Sequence, residues 1–311
     1  MQSSGKVDLL GLGIAPVDFF VSMNGYPEPG QKIDSIGNSH LIRGGGPVPT
    51  ALCTFSKLGG NSSLVTTLGD DMWGRFVRTE LDRFGVEHKH CIERKNCRHA
   101  LAFAWIDIST GDRTIVLDTN KKMTVKPADI KTDSLPIPKL IHLDGRHLPA
   151  CLKLARWGKK VGAKIMLDVG SVRNRVDDLF PYIDYLVCAD QFASDYTGRK
   201  SLRPAVKSLK DNGIPEVVVT SGVKGSFGID AEGNEARQRA YRVKAVDVTG
   251  AGDVFHGSYL FGIFKDWPLE DKLKFAAAAA ALKCRLPGAR DGIPSYRQAK
   301  SFMKKHRSFY A

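Results

Sequence analysis

The sequence predicts an α/β fold, a mostly parallel sheet with helices on both faces. Three observations lead there. Short apolar or β-branched runs alternate with longer helical stretches along most of the chain, which is the rhythm of strand–helix–strand units. The helical stretches end near glycines suited to cap them. With 311 residues, the chain can fill one large α/β unit or two domains of about 100 to 200 residues each.

Taken in order, strand-like runs fall at 7–14, 64–68, 140–143, 164–167, 185–188 and 217–220, and helical segments at 49–58, 73–84, 149–160 and 203–212. Two regions break the rhythm. Residues 19–43 and 98–117 read as short strands and turns, the second with strands at 102–108 and 113–117 about a turn at 109–112. They predict a small antiparallel layer outside the main sheet, placed as a lid over a site at the sheet edge. The last third is helical, at 251–264, 269–284 and 296–305. Six alanines, Ala276 to Ala281, let either a neighbouring helix or a flat ligand approach closely. No internal repeat or linker divides the chain, so residues 1–311 are expected to form a single domain with lid segments at 19–43 and 98–117.

Apolar residues make up 42% and charged residues 25%, which excludes a disordered, collagen-like or disulfide-stapled chain. Forty-six Lys plus Arg against 33 Asp plus Glu give a net charge of +13 and favour anionic partners such as phosphate esters or acidic metabolites. The basic residues are dispersed, with only short clusters such as Lys304, Lys305, His306 and Arg307, so a solvated basic surface is expected rather than a nucleic-acid site. No apolar run approaches the roughly 20 residues of a membrane helix. The start, MQSSGKVDLL, lacks a signal-peptide core, and a cytoplasmic location is the expectation. Six scattered cysteines without CxxC spacing predict reduced thiols, and His88, His90 and Cys91 lack a second ligand pair for zinc.

The most informative stretch is Val246-Asp247-Val248-Thr249-Gly250-Ala251-Gly252-Asp253-Val254-Phe255-His256-Gly257. A glycine-rich turn opening a helix leaves backbone N–H groups free at the positive end of the helix dipole, an anion hole for phosphate. Asp253, in the first turn, stays ionised there and can take a proton from a hydroxyl. Glycine spacing alone fits an ordinary N-cap equally well.

The string DVTGAGDVFHG is similar to the D-T-x-G-A-G-D signature of the PfkB, or ribokinase-type, carbohydrate kinases. Gly44-Gly45-Gly46-Pro47-Val48-Pro49-Thr50-Ala51, continuing to Leu58-Gly59-Gly60, resembles that family's first signature. Asp18 matches the carboxylate that holds sugar hydroxyls, and residues 218–225 resemble the nucleotide-side strand and turn.

The resemblance implies a ribokinase-like three-layer α/β/α fold with a small β lid, and an ATP-dependent sugar kinase using Mg2+. Under it Asp253 is the base and the amides of Gly250, Ala251 and Gly252 are the anion hole. Asp18, Gly45 and Gly46 hold the sugar, while Thr220, Gly222, Gly225 and Ala279 lie beside the nucleotide. Asp247 and Thr249 match positions that place oxygens around a monovalent cation such as K+, with the loop 286–292 completing the shell. The chain departs from the family in carrying Thr50 in place of Asn, and Ala189 and Phe192 in place of the N-x-x-E motif that helps organise magnesium; Asp190 is the candidate to compensate.

The Gly-Gly-Gly-Pro-x-x-Thr segment, DVFHG, and Ala281 to Cys284 with Pro287-Gly288 and Gly292-Ile293-Pro294 resemble the sulfofructose kinases. Gly111 to Leu117 and Asp144-Gly145-Arg146 are closer to ketohexokinases. Both branches phosphorylate a primary hydroxyl of a ketose. Lys32 and Arg146 match positions that could hold a sulfonate, with Arg43 in reserve, whereas Leu117 stands where the sulfofructose kinases are expected to carry Asn. Salt bridging or solvation accounts for these cations equally well. A 2-keto-3-deoxygluconate or nucleoside kinase, and a regulatory ligand-binding protein on a kinase fold, are the other readings. Exposed lid strands would also let the chain form a homodimer. His147 and His256 are read as structural, and Trp73 with Phe76 as packing.

Overall fold

The computed structural model describes residues 6–36, 41–110 and 113–306. Strands β1 (Leu9–Leu12), β4 (Ser62–Val65), β6 (Val86–Glu87), β10 (Leu140–Leu143), β11 (Lys164–Val169), β12 (Tyr185–Ala189), β13 (Glu216–Thr220), β14 (Ser226–Ile229) and β15 (Glu235–Gln238) form one sheet, ordered β15-β14-β13-β12-β11-β10-β1-β4-β6. From β13 to β6 every pairing is parallel; β14 and β15 run antiparallel at one edge. The pleat sends Leu9 to one face and Leu10 to the other, and each face builds its own core.

One core is closed by α1 (Pro47–Lys57), α6 (Ala251–Phe264) and α7 (Leu269–Lys283), with α2 (Met72–Arg83) and α8 (Tyr296–Lys305) beside them. The other is closed by α3 (Leu148–Lys160), α4 (Asp190–Thr197) and α5 (Leu202–Lys210). This is the three-layer α/β/α arrangement that strand–helix alternation predicts. Neither α6 nor α7 is strongly amphipathic, because each is packed on nearly all sides; a side chain on Gly257 of α6 would strike the Ala51 carbonyl of α1 at 2.3 Å.

The two irregular segments pair with each other as expected. Strands β2 (Val17–Met23), β3 (Leu41–Gly44), β8 (Leu101–Asp107) and β9 (Arg113–Asp118) make a sheet ordered β3-β2-β8-β9. It is not wholly antiparallel: β2 and β8, separated by a long stretch of chain rather than a hairpin turn, pair in parallel over seven registers. The predicted turn at 109–112 lies partly outside the described residues, as do Gly111 and Asp112.

The predicted strand 64–68 is two strands, β4 and β5 (Thr67–Gly69), with β5 leaving the main sheet to pair with β7 (Ile92–Arg94). Helix α4 and strands β14 and β15 were absent from the sequence reading. β15 carries Glu235 and Arg237, edge residues without an apolar run to announce a strand. Trp73 packs edge-on against Phe19 at 5.0 Å and Phe76 at 6.2 Å, as anticipated. All six cysteines are free thiols. No helix among the described residues is long and apolar enough to cross a membrane.

Candidate active site

In an open parallel sheet, ligands collect beyond the carboxyl ends of the strands where the winding reverses. Here the chain winds outward from β1 to β4 and β6, then returns to β10 on the other side of β1. The crevice therefore opens between β1 and β10. Asp144, just past β10, bridges it by accepting the Ile14 N–H at 3.2 Å and the Arg146 N–H at 2.9 Å.

On the lid side, Asp18 lies on β2 opposite Arg43 of β3. The turn before α1 brings Gly45 so close to Asp18 that an added Cβ would lie 2.1 Å from its carboxylate. Gly46, the N-cap of α1, has φ of 92° and would strike the Ile14 carbonyl at 2.1 Å with any side chain. Behind the turn stands Arg290, fully buried, which the sequence reading missed. It donates to the Gly45 carbonyl at 2.7 Å and to the Thr50 hydroxyl at 3.3 Å. Thr50, where the family resemblance leads one to expect Asn, is thus a hydrogen-bond partner of the buried guanidinium.

The turn before α6 carries the second cluster. Gly250 is its N-cap, in the left-handed conformation, and packs on Ala289. The expected set of three free amides is reduced by one: the Ala251 N–H donates to the Val248 carbonyl at 3.1 Å, closing the turn. The Gly250 and Gly252 amides remain, and a Cβ on Gly252 would meet open space. Asp253, half-buried in the first turn of α6, groups with Asp168 and His256, with ligand atoms all within 4.8 Å of one another.

Asp168 and His256 are buried as an ion pair at 3.1 Å. Burial alone would push His256 down, but Asp168 outweighs it and the net shift is up. Burial likewise favours neutral Asp168, and His256 overturns it, so the carboxyl is held low. The neighbouring His142 is pushed down to about 4, chiefly by burial, and stays neutral. His256 is therefore structural in its packing but electrically coupled to Asp253, more than the sequence reading gave it. His147 is the buried N-cap residue of α3.

A cavity of about 1880 Å³ opens on the far side of the turn. Thr220, Gly222 and Gly225 line it together with Ala251, Gly252 and Phe255. Lys224, Arg237, Arg239 and Arg242 add positive charge that no motif announced. Ala279 does not line it. At 3.6 residues per turn, Ala277, Ala280, Ala281 and Cys284 face the cavity, while Ala276, Ala278 and Ala279 are packed into the helical layer with no exposure. One face of the alanine run thus packs into the helical layer and the other lines the cavity.

The remaining expected residues divide. Arg146 is exposed at the crevice, and Arg173, also missed, donates to the Asp144 carbonyl at 2.6 Å beside it. Arg43 is engaged by Asp291 at 2.7 Å, and Lys32 stands exposed on the connector after β2. Of the N-x-x-E positions, Ala189 ends β12 and Phe192 is fully buried; Asp190 accepts the Ser221 hydroxyl. The Asp247 carboxylate accepts the Thr249 and Gly288 amides, each at 2.8 Å, while its backbone carbonyl accepts the Lys283 ammonium at 2.8 Å. The Lys283 ammonium thus engages one of the oxygens expected around a monovalent cation.

A family model described as pfkB family carbohydrate kinase matches residues 24–295. A ribokinase of Haemophilus influenzae is 24% identical over 306 residues, covering 94% of this chain and 97% of that protein. Fructokinase-2 of Oryza sativa is 28% identical over 290 residues, covering 84% and 85%. The structure of Arabidopsis thaliana ribokinase complexed with ribose and ATP superposes with a TM-score of 0.85 at 25% identity, covering 96% of this chain and 99% of that one. With the glycine turn, the first-turn aspartate and the crevice at β1 and β10 in one fold, these matches agree that the chain belongs to the PfkB family of carbohydrate kinases.

Proposed function

We propose that this kinase transfers the γ-phosphoryl group of Mg-ATP to a primary hydroxyl of an anionic ketose, of which a sulfonate-bearing sugar such as sulfofructose is the type. The nucleotide occupies the alanine-walled cavity, where Thr220, Gly222 and Gly225 line the wall and the dispersed arginines and Lys224 attract the phosphates. The sugar lies between Asp18, the Gly45–Gly46 turn and the crevice. Asp253, ionised at the positive end of α6, accepts the hydroxyl proton as the oxygen attacks phosphorus in line. The Gly250 and Gly252 amides stabilise charge on the transferring group. The Asp168–His256 pair sets the field around the base.

The single observation that carries the anionic acceptor is the pairing of Arg146 with Arg173 at the ends of β10 and β11. Both are tied to Asp144, Arg146 through its amide on the carboxylate at 2.9 Å and Arg173 through its guanidinium on the carbonyl at 2.6 Å, and burial, with the charge of Arg146 added to it, pushes Arg173 down. The Arg146 side chain is exposed at the crevice, where it can meet a ligand. One charge-assisted hydrogen bond is worth about 1.5 to 3 kcal/mol, or roughly 10- to 150-fold in selectivity.

The test is ADP release from Mg-ATP with fructose, sulfofructose, fructose phosphates, 2-keto-3-deoxygluconate, ribose and adenosine. Turnover confined to anionic ketoses, with Arg146→Met raising their KM, is the expected result. Preference for neutral fructose or ribose overturns the anionic reading and leaves a fructokinase or ribokinase. Replacing Asp253 by Asn is expected to lower kcat by about 10²- to 10⁴-fold while ATP still binds. The same reading includes a homodimer through the lid, supported by Ile115 and Val116, 52% and 51% exposed on the edge strand β9; light scattering checks it.

A further inference from the structure

Lys283 ends α7 with no solvent exposure at all. A buried ammonium is costly unless fixed oxygens surround it. Its Nζ donates to the Asp247 carbonyl at 2.8 Å. The surrounding chain is drawn in around that contact. The Val246 and Asp247 amides donate to the Cys284 carbonyl at 2.7 and 3.2 Å, and the Asp247 carboxylate takes the Gly288 amide from the following loop. That loop closes over the lysine so tightly that a Cβ on Gly292 would lie 2.3 Å from the Lys283 carbonyl. One residue past Gly288, Ala289 packs against Gly250 of the anion turn. The ammonium also sits at the negative end of α7, where a cation is favoured.

Lys283 thus lies between the two segments, 247–249 and 286–292, that the family resemblance offers as the shell of a monovalent cation. We propose that the Lys283 ammonium is a tethered replacement for that cation, clamping the anion turn against the 286–292 loop, and that the kinase consequently needs no free K+. Lys283 is a positioning residue, acting on the Gly250 and Gly252 amides through the Asp247 turn. The inference rests on the reading of that turn as the phosphate site. It is independent of which sugar is phosphorylated, and the readouts below require no acceptor.

The experiment measures the melting temperature and the affinity for ATP in potassium chloride, ammonium chloride and choline chloride at equal ionic strength. For the unaltered chain, both quantities are expected to be the same in all three salts. Selective stabilisation or tighter ATP binding in potassium overturns the proposal. Lys283→Ala opens the space. It is expected to melt lower and bind ATP several-fold more weakly in choline, with potassium or ammonium restoring both in part. A variant that equals the unaltered chain in choline, or that loses both quantities without recovery in potassium or ammonium, also overturns it. Should Lys283→Ala fail to fold, the unaltered chain in the three salts decides the matter alone. Failure to bind ATP in any salt, by contrast, would count against the phosphate site itself.

Discussion

Gly45→Ala isolates the sugar-side carboxylate without touching the chemistry. The backbone at Gly45 lies outside the positive-φ region, so alanine is conformationally acceptable there. Its new Cβ, however, would fall 2.1 Å from one Asp18 carboxylate oxygen and 2.3 Å from the other, well inside contact distance. Asp18 is half-buried on β2 of the lid sheet, so its carboxylate is the group that yields, and with it the hydrogen bonds that the proposed sugar site draws from it. Each such charged hydrogen bond contributes about 1.5 to 3 kcal/mol, so losing one lowers kcat/KM for the acceptor by roughly 10- to 150-fold. KM for ATP and the melting temperature should change little, since the perturbation is confined to a movable side chain at the surface of the crevice. Gly46→Ala is the contrast. There the Cβ meets the immovable Ile14 carbonyl at 2.1 Å and φ is 92°, so folding itself should suffer. The assay is steady-state kinetics in both substrates beside thermal melting. Normal acceptor KM in a folded Gly45→Ala enzyme would refute the placement of Asp18 against the sugar.

Three further outcomes follow from the packing. His256 has its pKa raised in the fold, so its pairing with Asp168 stabilises fully below about pH 6.5 and fades as pH rises through the higher folded value; Asp168, held low, contributes above its ordinary range and loses that contribution as pH falls through its depressed value. Urea melts of the unaltered chain and His256→Gln should therefore differ most in mildly acidic solution and converge towards alkaline pH; a difference that grows with pH counts against the pair. Ala279→Leu should cost about 1 to 3 kcal/mol of stability by overpacking the helical layer, whereas Ala281→Leu should raise KM for ATP several-fold with little effect on melting, a contrast read by calorimetry and kinetics. Lys272 donates to both oxygens of Glu216 at 2.7 and 2.8 Å, at the end of the sheet away from the site. With both side chains 7% exposed, Lys272→Met should cost about 3 to 5 kcal/mol in urea melts and leave the KM values unchanged.

How much was legible in the chain differs from element to element. The helices α6 and α8 begin and end where the sequence places them, and β10 coincides with its predicted run, α8 through a narrow apolar stripe and a Ser295 cap, α6 and β10 through nearly continuous apolar runs. α4 and β15 escaped because their sequences, DQFASDYT and EARQ, carry little apolar signal. The strand 64–68 was misread as one element because its apolar run continues through a change of sheet. At the candidate site, Asp253, Asp18 and the two glycine turns were picked out through short local signatures, and the structure places them about the two turns that open α1 and α6. Arg173 and Arg290 were not, and Lys283 stood in a matching segment without a role, since an arginine or lysine in a loop or at a helix end reads as solvated until folding encloses it.

The sequence by itself determined the α/β class and the two irregular segments that form the second sheet, and through its resemblance to a family it singled out the Gly250 turn and Asp253, because each depends on local periodicity or on residues adjacent in the chain. Only the tertiary structure decided which alanines face the cavity, that the Ala251 amide is spent inside its own turn, and that Lys283 holds the Asp247 carbonyl. Helical phase relative to the sheet, and the contact of Lys283 with Asp247 across 36 residues, are set by packing between distant segments. Burial turns those contacts from surface charge into architecture, since a cation removed from water persists only where the fold supplies its oxygens.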